Sequence, residues 1–476
     1  MCKERQDEQS NDRSDHKLFE DVVLIPEEEV EIRGSGGMVL KGNARTVLRL
    51  FPSPRVLALS NDLERAPTPC ALIEADEWMG RWVTRGARAK MSMQSQDITH
   101  IAFGSFLEKD ESLPDHEFRI NESTEWKTEG ANKLVEVSFY LMNFPVFLYS
   151  ECIGKCRNAY GKDAAIPVCV SPEWEITLSH LPDAKATPKA LRRIGGWTRT
   201  HKGSIRRPNS ETFAANQAKE AIGALLRYLS FVRGGWSSPS LPVGTDGKGV
   251  ETWRQFLIGA ISEQRTVLPN WWGTRCGASL PIVFSGFWKL WTDRAIRDHL
   301  SRCIYWYVTS NSDGNVDSGL MVAQAGLELA YWIAAQSNLV QELDSNGTKT
   351  PADVRIRTML AEMGIRCEIP SRYSSLHKQL KQVSKRADCD GGDERDGPRV
   401  ITAIRNSLVH PAPKWKPVRN ATQDAWILSL HYLELTLLKL FEYNGPYFNR
   451  LKHTTTGEAE LVPWIADKND EGEAPK

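Results

Sequence analysis

Residues 400–415 read VITAIRNSLVHPAPKW. Val400, Ile401, Ile404, Leu408 and Val409 supply an apolar anchor at helical spacing, since successive helical residues turn by about 100°. Pro411 disfavours helical geometry at the residue before it, so the helix is expected to end at His410. Asn406 and His410 are four apart and share a face. Arg405 lies beside that face, and its long side chain can reach round to it. The chemistry of the trio is specific. A helix C-terminus stabilises imidazolium, and an imidazole exchanges protons near neutral pH. Guanidinium is a permanent planar cation suited to phosphate, and a carboxamide can orient a hydroxyl or the ring. Arg405, Asn406 and His410 are therefore the candidate catalytic residues.

Spacing alone does not select them. Arginine and histidine stand five positions apart in three places: Arg294 and His299 in RAIRDH, Arg372 and His377 in RYSSLH, and Arg405 and His410 in RNSLVH. The first has alanine after its arginine and reads as mid-helix among other charges. The second has tyrosine there and a proline before its helix. Only the third combines asparagine after the arginine with a proline after the histidine.

Working outward, residues 284–455 are helical in pattern. FSGFWKLWTDRAIRDHLSRCIYWYVTSN reads as one long helix and SGLMVAQAGLELAYWIAAQSNL as a second, after a turn at NSDGN. TPADVRIRTMLAEMGI follows, with Thr350 as cap and Pro351 in the first turn, and then PSRYSSLHKQLKQVSK. Beyond the decisive segment, Trp426, Leu430, Leu433, Leu437 and Leu440 form the stripe of a last helix. Together these predict an all-helical bundle. Residues 17–205 read differently. DVVLIP, EVEIRG, TVLRLF, RVLALS, THIAFGSFLE, LVEVSFYL and WEITLSHL are short, β-branched or aromatic, and punctuated by Gly, Pro, Asn or Asp. Val135, Val137, Phe139 and Leu141 alternate onto one face. A mostly antiparallel sandwich or barrel is expected. Residues 206–283 form a connector with one helix, Ser210 as its N-cap, GGW as its end and a tight turn at TDGK. Residues 1–16 and 456–476 read as disordered tails. The fold class is α+β multidomain: an N-terminal mostly antiparallel β domain and a C-terminal all-α bundle.

Composition narrows the function. The 476 residues carry 60 basic and 60 acidic side chains. That balance argues against capture of nucleic acid over the whole surface and leaves room for a local basic cleft. The nine cysteines are scattered, the nearest pair being Cys152 and Cys156 in CIGKC with no histidine close by. This predicts reduced thiols, no zinc site and a cytoplasmic protein. The first residues lack the apolar core of a signal peptide, and no uninterrupted apolar run is long enough to span a membrane. The Gly-rich RGSGGMVLKGN at 33–43 lacks the Lys-Ser/Thr ending of a phosphate loop and reads as a hairpin. Gln324 and Glu328 sit four apart on an apolar helix. Their expected role is a structural hydrogen bond or salt bridge, with contact to Arg405 as the sharper alternative.

IRNSLVHP, late in a helical region and before a final amphipathic helix, resembles the signature of HEPN domains. More loosely, the layout is similar to ApeA-type bacterial defence proteins, which join a β-rich N-terminal domain to a HEPN domain. The resemblance implies a metal-independent endoribonuclease without cofactor, in which the RNA 2′-hydroxyl attacks phosphorus and leaves a cyclic phosphate. It also implies a homodimer through the helical domain and a phage-derived or cellular trigger at the β domain. His410 would be general base or acid, Arg405 would stabilise charge on phosphorus, and Asn406 would position groups. Some HEPN toxins carry a tyrosine two residues after the histidine. Ala412 stands there, which argues against that toxin–antitoxin mode. The alternative is a non-catalytic HEPN module that binds RNA, nucleotide or protein.

Overall fold

A computed structural model describes residues 21–34, 39–50, 53–60, 64–65, 88–95, 98–106, 116–120, 124–147, 166–182, 191, 195–264, 269–312, 315–343, 350–384, 396–410, 418–452 and 459–465. Residues 1–16, Cys152, Cys156, Pro411 and Ala412 lie outside these residues. The expected tail 456–476 lies outside them only in part: 459–465 are packed, with Glu460–Leu461 paired to Pro446–Tyr447 and Val462 and Trp464 buried, so that stretch is not a disordered tail. The chain divides into two compact units. The first comprises 1–144, 176–222 and 238–266; the second comprises 145–175, 223–237 and 267–476.

In the first unit, β1 (Val22–Gly34), β2 (Val39–Arg49), β3 (Arg55–Ser60), β5 (Arg88–Ser95), β6 (Ile98–Phe106) and β7 (His116–Ile120) pair in the order β1-β5-β6-β7-β3-β2. β1 also pairs with β2, so the sheet closes as an antiparallel barrel, and the short β4 (Glu64–Arg65) attaches to β2. Two expected strands, DVVLIP and EVEIRG, are one strand with register shifts at Val23/Ile25 and Ile25/Glu28, where a bulge keeps the curved strand paired. Arg33 pairs with Val39 across β1 and β2, as the hairpin reading of 33–43 expected.

A second sheet of the same unit includes β11 (Glu175–His180), β12 (Arg199–Arg206), β9 (Glu136–Met142), β13 (Pro239–Thr245), β14 (Glu251–Gln255) and β8 (Glu125–Lys127), neighbours in that order. The expected alternation holds over most of β9: Val137, Phe139 and Leu141 are buried and Glu136, Ser138 and Tyr140 half-buried, but Met142 is buried as well and Val135, just before the strand, is half-buried. The TDGK turn is fastened by Asp246, whose side chain accepts from the N–H groups of Lys248 and Val250, each at 2.9 Å. The hairpin around it pairs with β9, so residues 206–283 are not a separate connector but are shared between the units. Ser210 is also not a helix N-cap. It sits in a turn at φ 57°, and α1 (Ala215–Arg233) begins five residues later. Gly234, at φ 70°, follows α1 as expected for GGW.

The second unit is mainly helical and also holds β10 (Ile166–Val170). α2 (Ser279–Thr292) and α3 (Arg294–Ser312) replace the single long helix expected there. Asp293 takes an extended ψ of 112° and its carboxylate accepts from the N–H of Ala295 at 2.8 Å, stopping one helix and capping the next. α4 (Val316–Gln336) is capped by Asn315, and α5 (Ala352–Glu362) has Pro351 at the cap position expected of Thr350. α6 (Ser374–Ser384), α7 (Gly397–Val409) and α8 (Ala421–Leu440) follow, with a small hairpin of β15 (Pro446–Tyr447) and β16 (Glu460–Leu461). α8 is the central helix. Of the expected stripe, Leu430, Leu433, Leu437 and Leu440 are buried and Trp426 is half-buried; Leu428, Tyr432, Leu435 and Leu438 are buried too, so the helix is covered almost all round. α4, α7, α6 and α3 pack against it. Close approach is built in: a Cβ at Gly326 would lie 2.8 Å from a methyl of Leu433.

Inside this apolar unit lies a charged cluster. Arg450 donates through Nε to Glu434 Oε2 at 2.8 Å and through Nη2 to Oε1 at 2.6 Å. Tyr307 donates to Oε1 at 2.6 Å, and Arg450 also reaches Asn311 Oδ1 and the Pro269 carbonyl, both at 3.0 Å. Burial alone would lower the Arg450 pKa, but the Glu434 charge outweighs it and holds the guanidinium protonated. Removing one partner strands the other charge. Arg450→Met should cost about 3–5 kcal/mol, read as a lower urea midpoint, and Arg450→Met with Glu434→Leu should recover most of it.

Candidate active site

α7 carries the trio. Asp396 caps it, accepting from the N–H of Arg399 at 3.2 Å, and is itself held by Arg357, whose Nε donates at 2.7 Å. Pro398 occupies the first turn, where its missing N–H costs nothing. Val400, Ile401 and Ile404 are buried and fix the helix in the bundle. Leu408 is half-buried and Val409 is 42% exposed, so the apolar anchor stops a turn before the expected end.

The last turn is polar and open. Arg405 is half-buried, while Asn406 and His410 are exposed. Arg405 Nη1 donates to Asn406 Oδ1 at 3.1 Å, so the carboxamide holds one side of the guanidinium. Arg405 Nε is buried and makes no hydrogen bond. The Asn406 carbonyl accepts the His410 N–H at 2.8 Å, the closing bond of the helix. His410 then leaves helical geometry at φ −125°, ψ 74°. The three residues thus share one solvent-facing turn. Among the described residues no hydrogen bond joins the His410 ring to the other two.

The two competing Arg–His pairs are engaged elsewhere. His299 stacks on Trp332 at 4.1 Å between centroids. Arg294 starts α3 and is not mid-helix as expected, because Asp293 breaks the long helix. Arg372 lies 4.7 Å over the Tyr373 ring and donates to its hydroxyl at 2.7 Å. Glu328 pairs with Arg355 at 3.2 Å, not with Arg405, because α5 presents an arginine alongside it. Glu328 is also half-buried, so the bland structural role is the one observed. Gln324 does reach α7, donating to Thr402 Oγ1 at 3.3 Å, one turn before Asn406. Its Oε1 is buried without a partner.

Among the described residues no group of three or more His, Cys, Asp or Glu could hold a metal ion, and no helix is long and apolar enough to cross a membrane. What the last turn of α7 offers is a fixed cation, an amide and a solvent-open imidazole. Those groups can bind a phosphodiester and move a proton, without supplying a ligand set for metal.

Residues 129–267 match the family described as the YopA central domain, and residues 293–461 match the YopA C-terminal domain. The trio falls within the latter. A protein of Bacillus subtilis (strain 168), described as "SPbeta prophage-derived uncharacterized protein YopA", is 27% identical over 310 residues. The similarity takes in 62% of this chain and 65% of that relative's length. No solved structure matches the chain.

Sequence reading missed the two histidines that burial holds neutral. In the first unit, burial and then the neighbouring His180 push His201 well below its ordinary value. On α8, burial, then the charges of Arg450 and Arg372, lower His431 from 6.5 to about 3. Only an otherwise apolar helix hints at the second. Unfolded chain takes up the His431 proton near 6.5 and folded chain only near 3, so the folded state binds fewer protons between these values. The stability His431 confers is complete above about 6.5 and falls with pH by about 1.4 kcal/mol per unit below it. Urea titrations from pH 7 to 4 should show that decline, and His431→Gln should lose one proton's worth of the slope.

Proposed function

We propose that this chain is a metal-independent endoribonuclease of the HEPN type. The observation that carries the reading is the single solvent-facing turn holding Arg405, Asn406 and His410 on a helix anchored by buried Val400, Ile401 and Ile404. In this reading the RNA 2′-hydroxyl attacks the adjacent phosphorus, the bond to the 5′ oxygen breaks, and a 2′,3′-cyclic phosphate and a 5′-hydroxyl form. His410 takes the attacking proton or gives one to the leaving oxygen. Arg405, held on one side by Asn406, meets the charge that builds on phosphorus. One imidazole serves one of the two transfers at a time. A second copy facing the first would supply the other imidazole and a second arginine, giving a neutral chain a local basic cleft. The β domain senses a trigger or restrains the nuclease, in a cytoplasmic defence or abortive-infection role. A relative described as prophage-derived is in keeping with a place in phage–host conflict.

Purified protein incubated with RNA and a chelator, followed by end-group analysis, tests this. Arg405→Ala and His410→Ala should each lower cleavage by at least about 100-fold. Both should leave the urea midpoint within about 0.5 kcal/mol of the parent, because neither residue is buried. Cleavage unchanged in both variants refutes the site. RNA binding without cleavage, in parent and variants alike, points instead to a non-catalytic binding module.

A further inference from the structure

A second concave site lies in the helical unit, walled by α8, the segment 365–370 and the β15–β16 hairpin. Its volume is about 670 Å³, inside the range of about 300–1,000 Å³ usual for small-ligand sites. Much of the wall is apolar, with Ile369, Leu435 and Leu451 among its residues. Three features make it more than a crevice.

First, His431 forms part of the wall at 7% exposure, and its Nδ1 is buried with no hydrogen-bond partner. Buried N–H groups without acceptors are rarer than under-used acceptors. We assign the proton to Nε2 on that ground, which leaves Nδ1 as an unused acceptor and gives a donor that no described residue engages. Second, the local charge is arranged. Glu460 receives Tyr447 Oη at 2.9 Å, Asn449 Nδ2 at 2.7 Å and the Lys452 ammonium. Burial alone would raise its pKa, but these donors outweigh that and hold the carboxylate ionised below its ordinary value. The Lys452 ammonium offsets its charge, so the pair presents little net repulsion to an incoming anion. Arg366 stands exposed on the rim beside exposed Glu368. Third, the wall is rigid. The Tyr432 hydroxyl donates to the Cys367 carbonyl at 2.9 Å, which also accepts the Gly397 N–H at 2.9 Å.

We propose that this cavity binds a small organic anion: a carboxylate or phosphate on a flat apolar body. The body lies against Ile369, Leu435 and the Tyr447 ring, and the anionic oxygens meet the His431 N–H and Arg366. Neither group alone suffices, because an apolar wall without a cation prefers neutral solutes and a rim arginine without the wall holds only a hydrated ion.

Isothermal titration of the full chain with phenylacetate and phenyl phosphate tests the site, with 2-phenylethanol and inorganic phosphate as controls. At least one of the two anions should bind saturably at one site per chain, and the tighter one identifies the head group. Both controls should bind at least about tenfold more weakly. Arg366→Ala, at an exposed position, should weaken binding by about tenfold, and Leu451→Trp should abolish it by filling the space. Arg405→Ala should bind like the parent, so the result stands apart from that of the cleavage assay. The proposal is overturned if neither anion binds, if 2-phenylethanol binds as well as they do, or if Arg366→Ala and Leu451→Trp both bind like the parent.

Discussion

A carboxylate on the most buried helix of the second unit has to be answered, and Glu434 is answered by Arg450, Tyr307 and, through Arg450, Asn311. Taking two charges out of water is costly, and such a pair adds little net stability over an apolar pair of the same size. What it adds is position. The planar guanidinium fits the carboxylate in one orientation. Asn311, which meets that guanidinium, donates to the carbonyls of Gly234 at 2.7 Å and Pro269 at 3.0 Å. α8, α3, the end of α1 and the segment after α8 are thereby referenced to one another. α7 packs against α8, so the helix that carries Arg405, Asn406 and His410 inherits its placement from that cluster.

α7 divides its work along its length. Its first turns are committed to folding: a buried Asp396 cap braced by Arg357, a proline in the first turn, and three buried aliphatic side chains. Its last turn carries almost none of that load, since Asn406, Val409 and His410 face solvent. Side chains that hold nothing together are free to meet a substrate. Those that do hold, Val400, Ile401 and Ile404, keep the turn from wandering. The buried Nε of Arg405 belongs to neither half. It is desolvated and unanswered, a condition that an added acceptor would relieve.

Local pattern carried much of this into the sequence. The helix series after residue 278, the alternation in β9, the Asp246 turn and the end of α7 before Pro411 all follow from periodicity and turn chemistry within about a dozen residues. The misreadings have a common physical cause. Closing the barrel depends on β1 finding β5 as well as its hairpin partner β2, and the β1–β5 pairing is long-range and lies in no short window. The long helix of 284–311 has unbroken periodicity, and it takes the short Asp293 side chain, capping Ala295, to divide it. Ser210 had the chemistry of a cap, but its backbone was taken by a tighter turn. Glu328 was seen to need a partner, and which arginine supplied it depended on how α5 lies along α4. His431 and Glu434 sit among leucines in the sequence. A buried charge there shows only that a partner exists, not that it lies sixteen residues further on, past the end of the helix.

The two histidines of the last two long helices face opposite conditions. His410 stands in solvent at a helix end, and His431 is enclosed beside the Arg450 and Arg372 charges and refuses a proton down to about pH 3. The chain between them is short, and the structure links their surroundings more closely still. The Cys367 carbonyl accepts both the Tyr432 hydroxyl and the N–H of Gly397, the first residue of α7, and residues 368 and 396 form a β-bridge. The segment that walls the cavity is thus the segment that receives the N-terminus of the helix whose C-terminus holds the trio. The Cys367 carbonyl, by accepting from both Tyr432 and Gly397, fixes the wall of the cavity and the N-terminal end of α7 to the same point.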